Sequence, residues 1–381
     1  MPLYDLAIWK NGLAFRNIQF SSKGKPVIKI AELKNGITAQ TKFTQDEYDD
    51  SVALRAGDML FSWSGNPDTS IDVFYYDLPD GWLNQHIFKV TPVGVDKDFL
   101  FYILKYYKST FTAIASNKQT TGLGHVTIKD MKDIIVDVPS LETQKKIAAT
   151  LFALDKKIAN NTAVNHHLEQ IAQMIFKSWA TDCSEFVTIG DVVDNILDYT
   201  PNNNNPIVLI NSGDVHNGHF THHTLSANEN LKGHFKKRFS KGDILYSEIR
   251  PRNKHFAFVP FEAEKYIAST RLMVLRSKSD RIFQSLLYHY LKSDEVIEQF
   301  ATMTETRSGT FPQGCFADLA SIPITVNSLE KQRESAEFLD NVILTIATND
   351  GESTRLATLR DALLPRLMSG ELSVSSLGGV K

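Results

Sequence analysis

The residues best suited to chemistry are cations and amides gathered in short polar stretches. His234-Phe235-Lys236-Lys237-Arg238, with Lys241, forms a basic cluster, and Arg250-Pro251-Arg252-Asn253-Lys254-His255 follows the apolar run at 242–247. An arginine can bond guanine through two donors, and an asparagine can bond adenine in the same way. Lysines suit phosphate oxygens and bring salt dependence with them. Lys236, Lys237, Arg238, Arg250, Arg252, Asn253, Lys254 and His255 are therefore candidates for contact with duplex nucleic acid, with a solvated charged hairpin as the plainer alternative. In the first half of the chain, Ser64 and Asn66 lie in a polar but not basic stretch, Ser64-Gly65-Asn66-Pro67-Asp68-Thr69. Lys118, Gln119, Gly122 and His125 lie in a glycine-containing stretch, and Thr306 and Arg307 lie in its later counterpart. Glycine frees backbone amides to approach phosphates closely, so these residues join the candidates beside the reading of a plain turn.

Chemistry of other kinds is missing from the sequence. Asn66-Pro67-Asp68 and Asn205-Pro206-Ile207 both fail the Asn/Asp-Pro-Pro-aromatic tetrad with which an adenine methyltransferase grips a flipped base. There is no GxxxxGK[ST] phosphate loop, so no motor ATPase is expected. Glu32-Leu33-Lys34 is a lone E-x-K that reads as a solvated turn rather than half a magnesium nuclease site. His166-His167 are adjacent on a predicted helix and point to different faces, so they cannot share a metal. His216, His219, His222 and His223 read as surface donors in a loop. No catalytic residue, metal site or cofactor is assigned to this chain.

The 381 residues carry 41 Lys+Arg against 44 Asp+Glu, a net charge of −3. Strong phosphate binders usually carry a basic excess, so DNA affinity here would have to be local or supplied by a partner. The two cysteines, Cys183 and Cys315, are far apart and have no metal-type spacing, which reads as a reduced cytoplasmic chain. No apolar run reaches membrane-spanning length, and the start lacks the pattern of a signal peptide, so no membrane role is expected.

The elements that must position the polar stretches come in two copies. A shift of roughly 180 to 190 residues brings Pro26–Ile30 onto Pro206–Ile210, Gly57–Ser62 onto Gly242–Ser247, and Phe99–Ser109 onto Phe283–Ser293. From Ser140-Leu141-Glu142 and Ser328-Leu329-Glu330 onward the shift is constant at 188. Such order over a long period is the signature of a repeat. Each copy begins with a mixed region of short strands (27–30, 59–63, 72–76 and 86–90 in the first) broken by turn residues. One helix at 99–115 follows, with aromatics at core spacing.

Each copy then ends in a long helix. Ile147, Leu151, Leu154 and Ile158 step by three or four, with Leu168 ten residues on, and Leu339, Val342, Ile346, then Leu356 and Leu359, follow the same pattern in the second copy. At 1.5 Å per residue a helix over about 140–180 is ~60 Å long, more than one small core needs, so the two stripes are expected to pair. Asn349-Asp350-Gly351 is expected to bend or loosen the second helix. The fold class is α+β: two tandem mixed recognition domains, each followed by a long helix, the helices antiparallel as a coiled-coil spacer with pseudo-two-fold symmetry. The divisions are 1–139, 140–181, 182–327 and 328–372, with a flexible tail at 373–381.

Three segments resemble a known family, the specificity subunits of type I restriction-modification enzymes. The first is Pro139-Ser140-Leu141-Glu142-Thr143-Gln144-Lys145-Lys146-Ile147-Ala148 and the helix that follows. The others are Gly242-Asp243-Ile244-Leu245-Tyr246-Ser247-Glu248-Ile249-Arg250-Pro251 and Leu363-Leu364-Pro365-Arg366-Leu367-Met368-Ser369-Gly370-Glu371. No one motif is diagnostic; the order and the duplication carry the likeness. The resemblance implies a non-catalytic subunit that binds double-stranded DNA at a split, asymmetric target. It implies docking of two methyltransferase subunits, and of restriction/translocase subunits in a full complex. S-adenosylmethionine, ATP and magnesium would then belong to those partners. The alternative class is a helical scaffold or dimerisation protein whose end domains bind protein.

Overall fold

The computed structural model describes residues 1–15, 18–119, 123–183, 185–228, 233–307 and 313–374, and for 306 and 307 only the backbone. The chain forms two compact units, Met1–Ala159 with Ser353–Lys381, and Asn160–Glu352.

In the first unit Ala7–Asn11, Ile87–Pro92, Met59–Ser62 and Asp72–Tyr75 form a four-stranded antiparallel sheet in that spatial order. All four residues of Met59–Ser62 are buried, as expected of a central strand that reads as a continuous apolar run. A second four-stranded sheet runs Phe43–Thr44, Lys25–Ile28, Gly81–Leu83, Ala53–Leu54, and its middle pair is parallel. The second unit repeats both. Val193–Asn195, Leu272–Ser277, Ile244–Ser247 and Phe256–Phe258 give the antiparallel sheet. Leu225–Ser226, Ile207–Ile210, Tyr266–Ser269 and Phe235–Lys237 give the one with a parallel centre. The second unit adds a small hairpin, Val215–His216 with His219–Phe220.

The expected single helix at 99–115 is two helices, Lys97–Tyr106 and Lys108–Asn117. Asp96 caps the first by accepting from the backbone N–H groups of Asp98 and Phe99 at 3.1 and 3.0 Å. Tyr107, at φ −82° and ψ 6°, breaks the helical run. The break lets Phe111 join Phe99 and Ile103 in one core. The second copy breaks at the same place, between Gln284–Leu291 and Asp294–Arg307.

The long helices are Leu141–Thr181 and Leu329–Met368. Ser140 Oγ accepts from the Thr143 N–H at 3.3 Å, the N-cap that starts the first. The second is one continuous helix through Asn349-Asp350-Gly351 and Pro365. Within the first unit Arg360 Nη1 lies 2.6 Å from Asp155 Oδ1, and Tyr102 donates to the same carboxylate. Within the second unit Asn161 reaches Glu352 and Asn165 reaches Ile346 and Asp350. Residues later in one helix meet residues earlier in the other, so the helices are antiparallel.

Ile147, Leu151, Leu339, Val342 and Ile346 are buried, and Leu154, Ile158, Leu168 and Leu356 are half-buried. Leu359 departs from its expected place in the seam. It is 48% exposed, and so is its counterpart Ile171 at 40%. Continued from Leu151 in alternating steps of three and four, the first seam runs Leu154, Ile158, Asn161, Asn165, Leu168, Ala172. In the second the same steps run Val342, Ile346, Asn349, Ser353, Leu356, Arg360. Arg360, not Leu359, holds the step after Leu356. The seam keeps the 3.5-residue period of a coiled coil through its polar centre.

Candidate nucleic-acid interface

The strand Ile244–Ser247 delivers the chain into the 250–255 turn, whose backbone takes an uncommon path. Arg250 (φ 46°) and Lys254 (φ 55°) both lie in the left-handed region, flanking a 3-10 turn at Pro251–Asn253. For residues other than glycine this costs about 1–2 kcal/mol each, and such strain clusters at functional sites. Buried Pro251 anchors the turn. The hairpin tip lies against it: the N–H of Asn217 donates to the Lys254 carbonyl at 2.7 Å, and that of Gly218 to the Phe256 carbonyl at 2.9 Å. The His216 and His255 rings meet edge-on, 5.8 Å apart. Together His216, Asn217, Arg252, Asn253, Lys254 and His255 line an open recess of about 410 Å³.

Charge in this turn is already partly engaged. Arg252 Nε lies 3.1 and 3.0 Å from the two carboxylate oxygens of Glu298, and Nη1 bonds Glu305. Lys254 Nζ is 2.9 Å from Asp294. These are exposed ion pairs, individually worth ~0–1 kcal/mol and screened by salt, so a phosphate can compete for either cation. Arg252 must leave Glu298 before it can grip a base edge with two donors.

The neighbouring basic cluster does not present one face. Lys236 is exposed, but Lys237 points the other way on the strand Phe235–Lys237. Lys237 is only 4% exposed and its ammonium donates to the Leu272 carbonyl at 2.7 Å. Burial holds its pKa below the ordinary lysine value, opposed by Glu248. Lys237 is therefore corrected from a phosphate contact to an interior donor, because side chains alternate along a strand. Arg238 opens instead onto a separate recess shared with Asp198, Lys241, Glu262 and Arg276.

In the first unit two stretches distant in sequence come together. Ser64–Gly65 pairs with Gly124–His125, placing His125 opposite Ser64. Asn66 is exposed, but its side-chain oxygen caps the helix Pro67–Ser70 through the N–H groups of Asp68 and Thr69. Lys118 Nζ lies 2.6 Å from both oxygens of Asp130, so its charge is locally matched, whereas Gln119 is exposed. Gly122 lies outside the described residues, as do the side chains of Thr306 and Arg307.

Sequence reasoning missed four polar or aromatic neighbours of the Ser64–His125 pair. Trp63 Nε1 donates to Asn11 at 3.2 Å and its ring lies 5.9 Å from that of His86, which contacts Gln85. The signal was in the repeat: the offset that carries Gly57 to Gly242 carries Trp63 to Glu248 and His86 to Arg271. Glu248 faces Lys237 and Arg271, and burial pushes its carboxyl above the usual range against their pull. Among the described residues no group of three or more His, Cys, Asp or Glu side chains is placed to hold a metal ion. None of the described helices is long and apolar enough to cross a membrane, and both cysteines are free thiols.

Comparison with known proteins agrees with this duplicated frame. A family model for the type I restriction modification DNA specificity domain matches residues 1–170 and again 182–358. The chain is 35% identical over 184 residues to the type I restriction enzyme HindI specificity subunit of Haemophilus influenzae, covering 48% of this chain but only 40% of that protein. It is 24% identical to the MjaIX specificity subunit of Methanocaldococcus jannaschii, covering 77% of this chain and 73% of that one. The fold is similar to the crystal structure of a type I restriction-modification S subunit from M. genitalium, with a TM-score of 0.65 and 13% identity over 97% of this chain and 95% of that one. Matched in both copies and over most of its length, the chain belongs to the type I restriction-modification DNA specificity family, whose specificity subunits are non-catalytic components.

Proposed function

We propose that the chain reads a two-part, asymmetric duplex DNA target, one part through each unit, and that its helix pair docks two methyltransferase subunits. Restriction-translocation subunits join in a full complex. The observation that carries this reading is one strand frame built twice with unlike loops: a polar, aromatic-edged Ser64–His125 pair in one copy and the strained, arginine-bearing 250–255 turn in the other. An identical frame fixes a similar approach to DNA, and unlike loop chemistry selects unlike bases. The net charge of −3 supports dependence on partners for phosphate affinity. S-adenosylmethionine, ATP and magnesium then belong to those partners, and the site of action is the cytoplasm.

Long-read methylation mapping tests the reading. Cells co-expressing this chain with a partner methyltransferase are compared with cells lacking the chain. A split motif with methyladenine in both parts, present only with the chain, is the expected result. Unchanged methylation from a soluble, assembled complex overturns it and favours a scaffold role.

A further inference from the structure

The cations of the 250–255 turn are held by one stripe of the helix Asp294–Arg307. Asp294, Glu298, Thr302 and Glu305 step by four, four and three along it, and all four are exposed. Arg252 Nε lies 3.1 and 3.0 Å from the two oxygens of Glu298, and Nη2 lies 2.9 Å from one of them. Nη1 bonds Glu305, so every guanidinium nitrogen of Arg252 faces a carboxylate. Lys254 Nζ lies 2.9 Å from Asp294. At a rise of 1.5 Å per residue the three carboxylates stand about 6 and 10 Å apart along the helix, a row of fixed negative charge such as a phosphate strand also presents. The first copy has neither half of this arrangement. Its turn at 64–69 holds no lysine or arginine, and its helix Lys108–Asn117 holds no Asp or Glu. The shared frame therefore does not call for an acidic stripe, which occurs only where the turn is cationic. Asp294 lies in the first turn of its helix, where negative charge is favoured for the helix's own sake, but Glu298 and Glu305 lie beyond that turn.

We propose that Glu298 and Glu305 are an autoinhibitory mask: they keep Arg252 from the phosphates of non-target DNA and release it when the target offers a base edge to its two donors. The proposal deepens the two-part reading above, and its target half rests on that reading. An exposed guanidinium gains little by exchanging a carboxylate for a phosphate, since both are solvent-screened contacts. A two-donor bond to guanine is worth roughly 10-fold or more in affinity, which tips the exchange. On non-target DNA Arg252 stays with its carboxylates and displaces no counterion from the duplex. On the target it leaves them. Glu298 and Glu305 are positioning residues and need not touch DNA.

The test uses the full chain assembled with its partner methyltransferase and two fluorescent duplexes, one carrying the motif found by methylation mapping and one of random sequence. Glu298→Gln with Glu305→Gln removes the mask. On the random duplex this variant should bind about 5-fold more tightly at about 50 mM salt. Its salt slope there should steepen by about one, the mark of one more phosphate contact. On the target it should bind more tightly with the slope unchanged, because Arg252 has already moved to a base edge. With Arg252→Gln added, the two glutamines should no longer alter the random-duplex slope, which separates unmasking from a general loss of negative charge. If the double variant fails to fold, Glu298→Gln alone is held to the same criteria. A random-duplex slope that the double variant leaves unchanged overturns the mask, as does a steeper slope that persists without Arg252. A slope that steepens equally on both duplexes overturns release by the target. A parent that yields no motif, or binds both duplexes alike, fails the two-part reading and target release with it; the random duplex still decides the mask.

Discussion

Gly65 and Arg250 stand at the same point of the two copies, a few residues after matching strands, and both have positive φ, but in different regions: 135° for Gly65 and 46°, left-handed, for Arg250. In the first unit the residue is the one type that adopts φ 135° freely, and a Cβ there would lie 2.5 Å from that of Ser70. In the second the same corner carries an arginine. The second copy keeps a long cationic side chain at a left-handed position, where residues other than glycine are strained. Backbone strain of this kind clusters at functional sites, which keeps Arg250 among the candidates for target contact.

The largest expected effect comes from making the copies alike in the wrong direction. Gly65→Ala forces both a disfavoured φ and a close contact, and should destabilise by about 2–4 kcal/mol in urea unfolding. The reverse exchange, Arg250→Gly, should raise stability by about 1 kcal/mol while weakening target binding by roughly 10-fold or more in DNA titrations. Stability and affinity moving together there would break the comparison. A third contrast lies between neighbours. Lys236→Met should reduce the salt slope of DNA binding by about one, whereas Lys237→Met should leave the slope unchanged, because that ammonium is spent on the Leu272 carbonyl. The smallest effect concerns pH. Hydrogen bonding to Asp350 raises the pKa of His219, burial opposes it, and Glu169 and Lys292 face the same ring with opposite signs. The contribution to stability is therefore full below the ordinary histidine value and is lost as pH rises through the raised one. The difference in Tm between the parent and His219→Ala should shrink over that rise; a constant difference would refute it.

Much of this frame was legible because it is periodic. Apolar alternation located the strands, the constant shift of 188 located both long helices, and their stripes predicted the pairing. What stayed hidden was non-periodic or distant. Counting apolar residues passes over Asn161 and Asn165, since a polar residue in a seam resembles a gap in the stripe, and it preferred Leu359 to Arg360 for the same reason. Lys237 looked like part of a basic patch because strand alternation was not applied within the cluster. Arg252 looked unengaged because Glu298 and Glu305, its partners, lie 46 and 53 residues further along the chain. The Ser64–His125 pairing spans a comparable stretch.

The second unit is one continuous stretch, Asn160–Glu352, but the first is not. Its core includes Leu367, with Leu363 and Leu364 packed against it, more than 350 residues beyond its opening strand. During synthesis at about 5–20 residues per second, the first unit to emerge must therefore wait many seconds for its closing piece, with the second unit already made. Until then the apolar face of 141–159 has no covering helix and is open to a chaperone or to another nascent copy. The ribosome thus completes last the half of the molecule that it begins first.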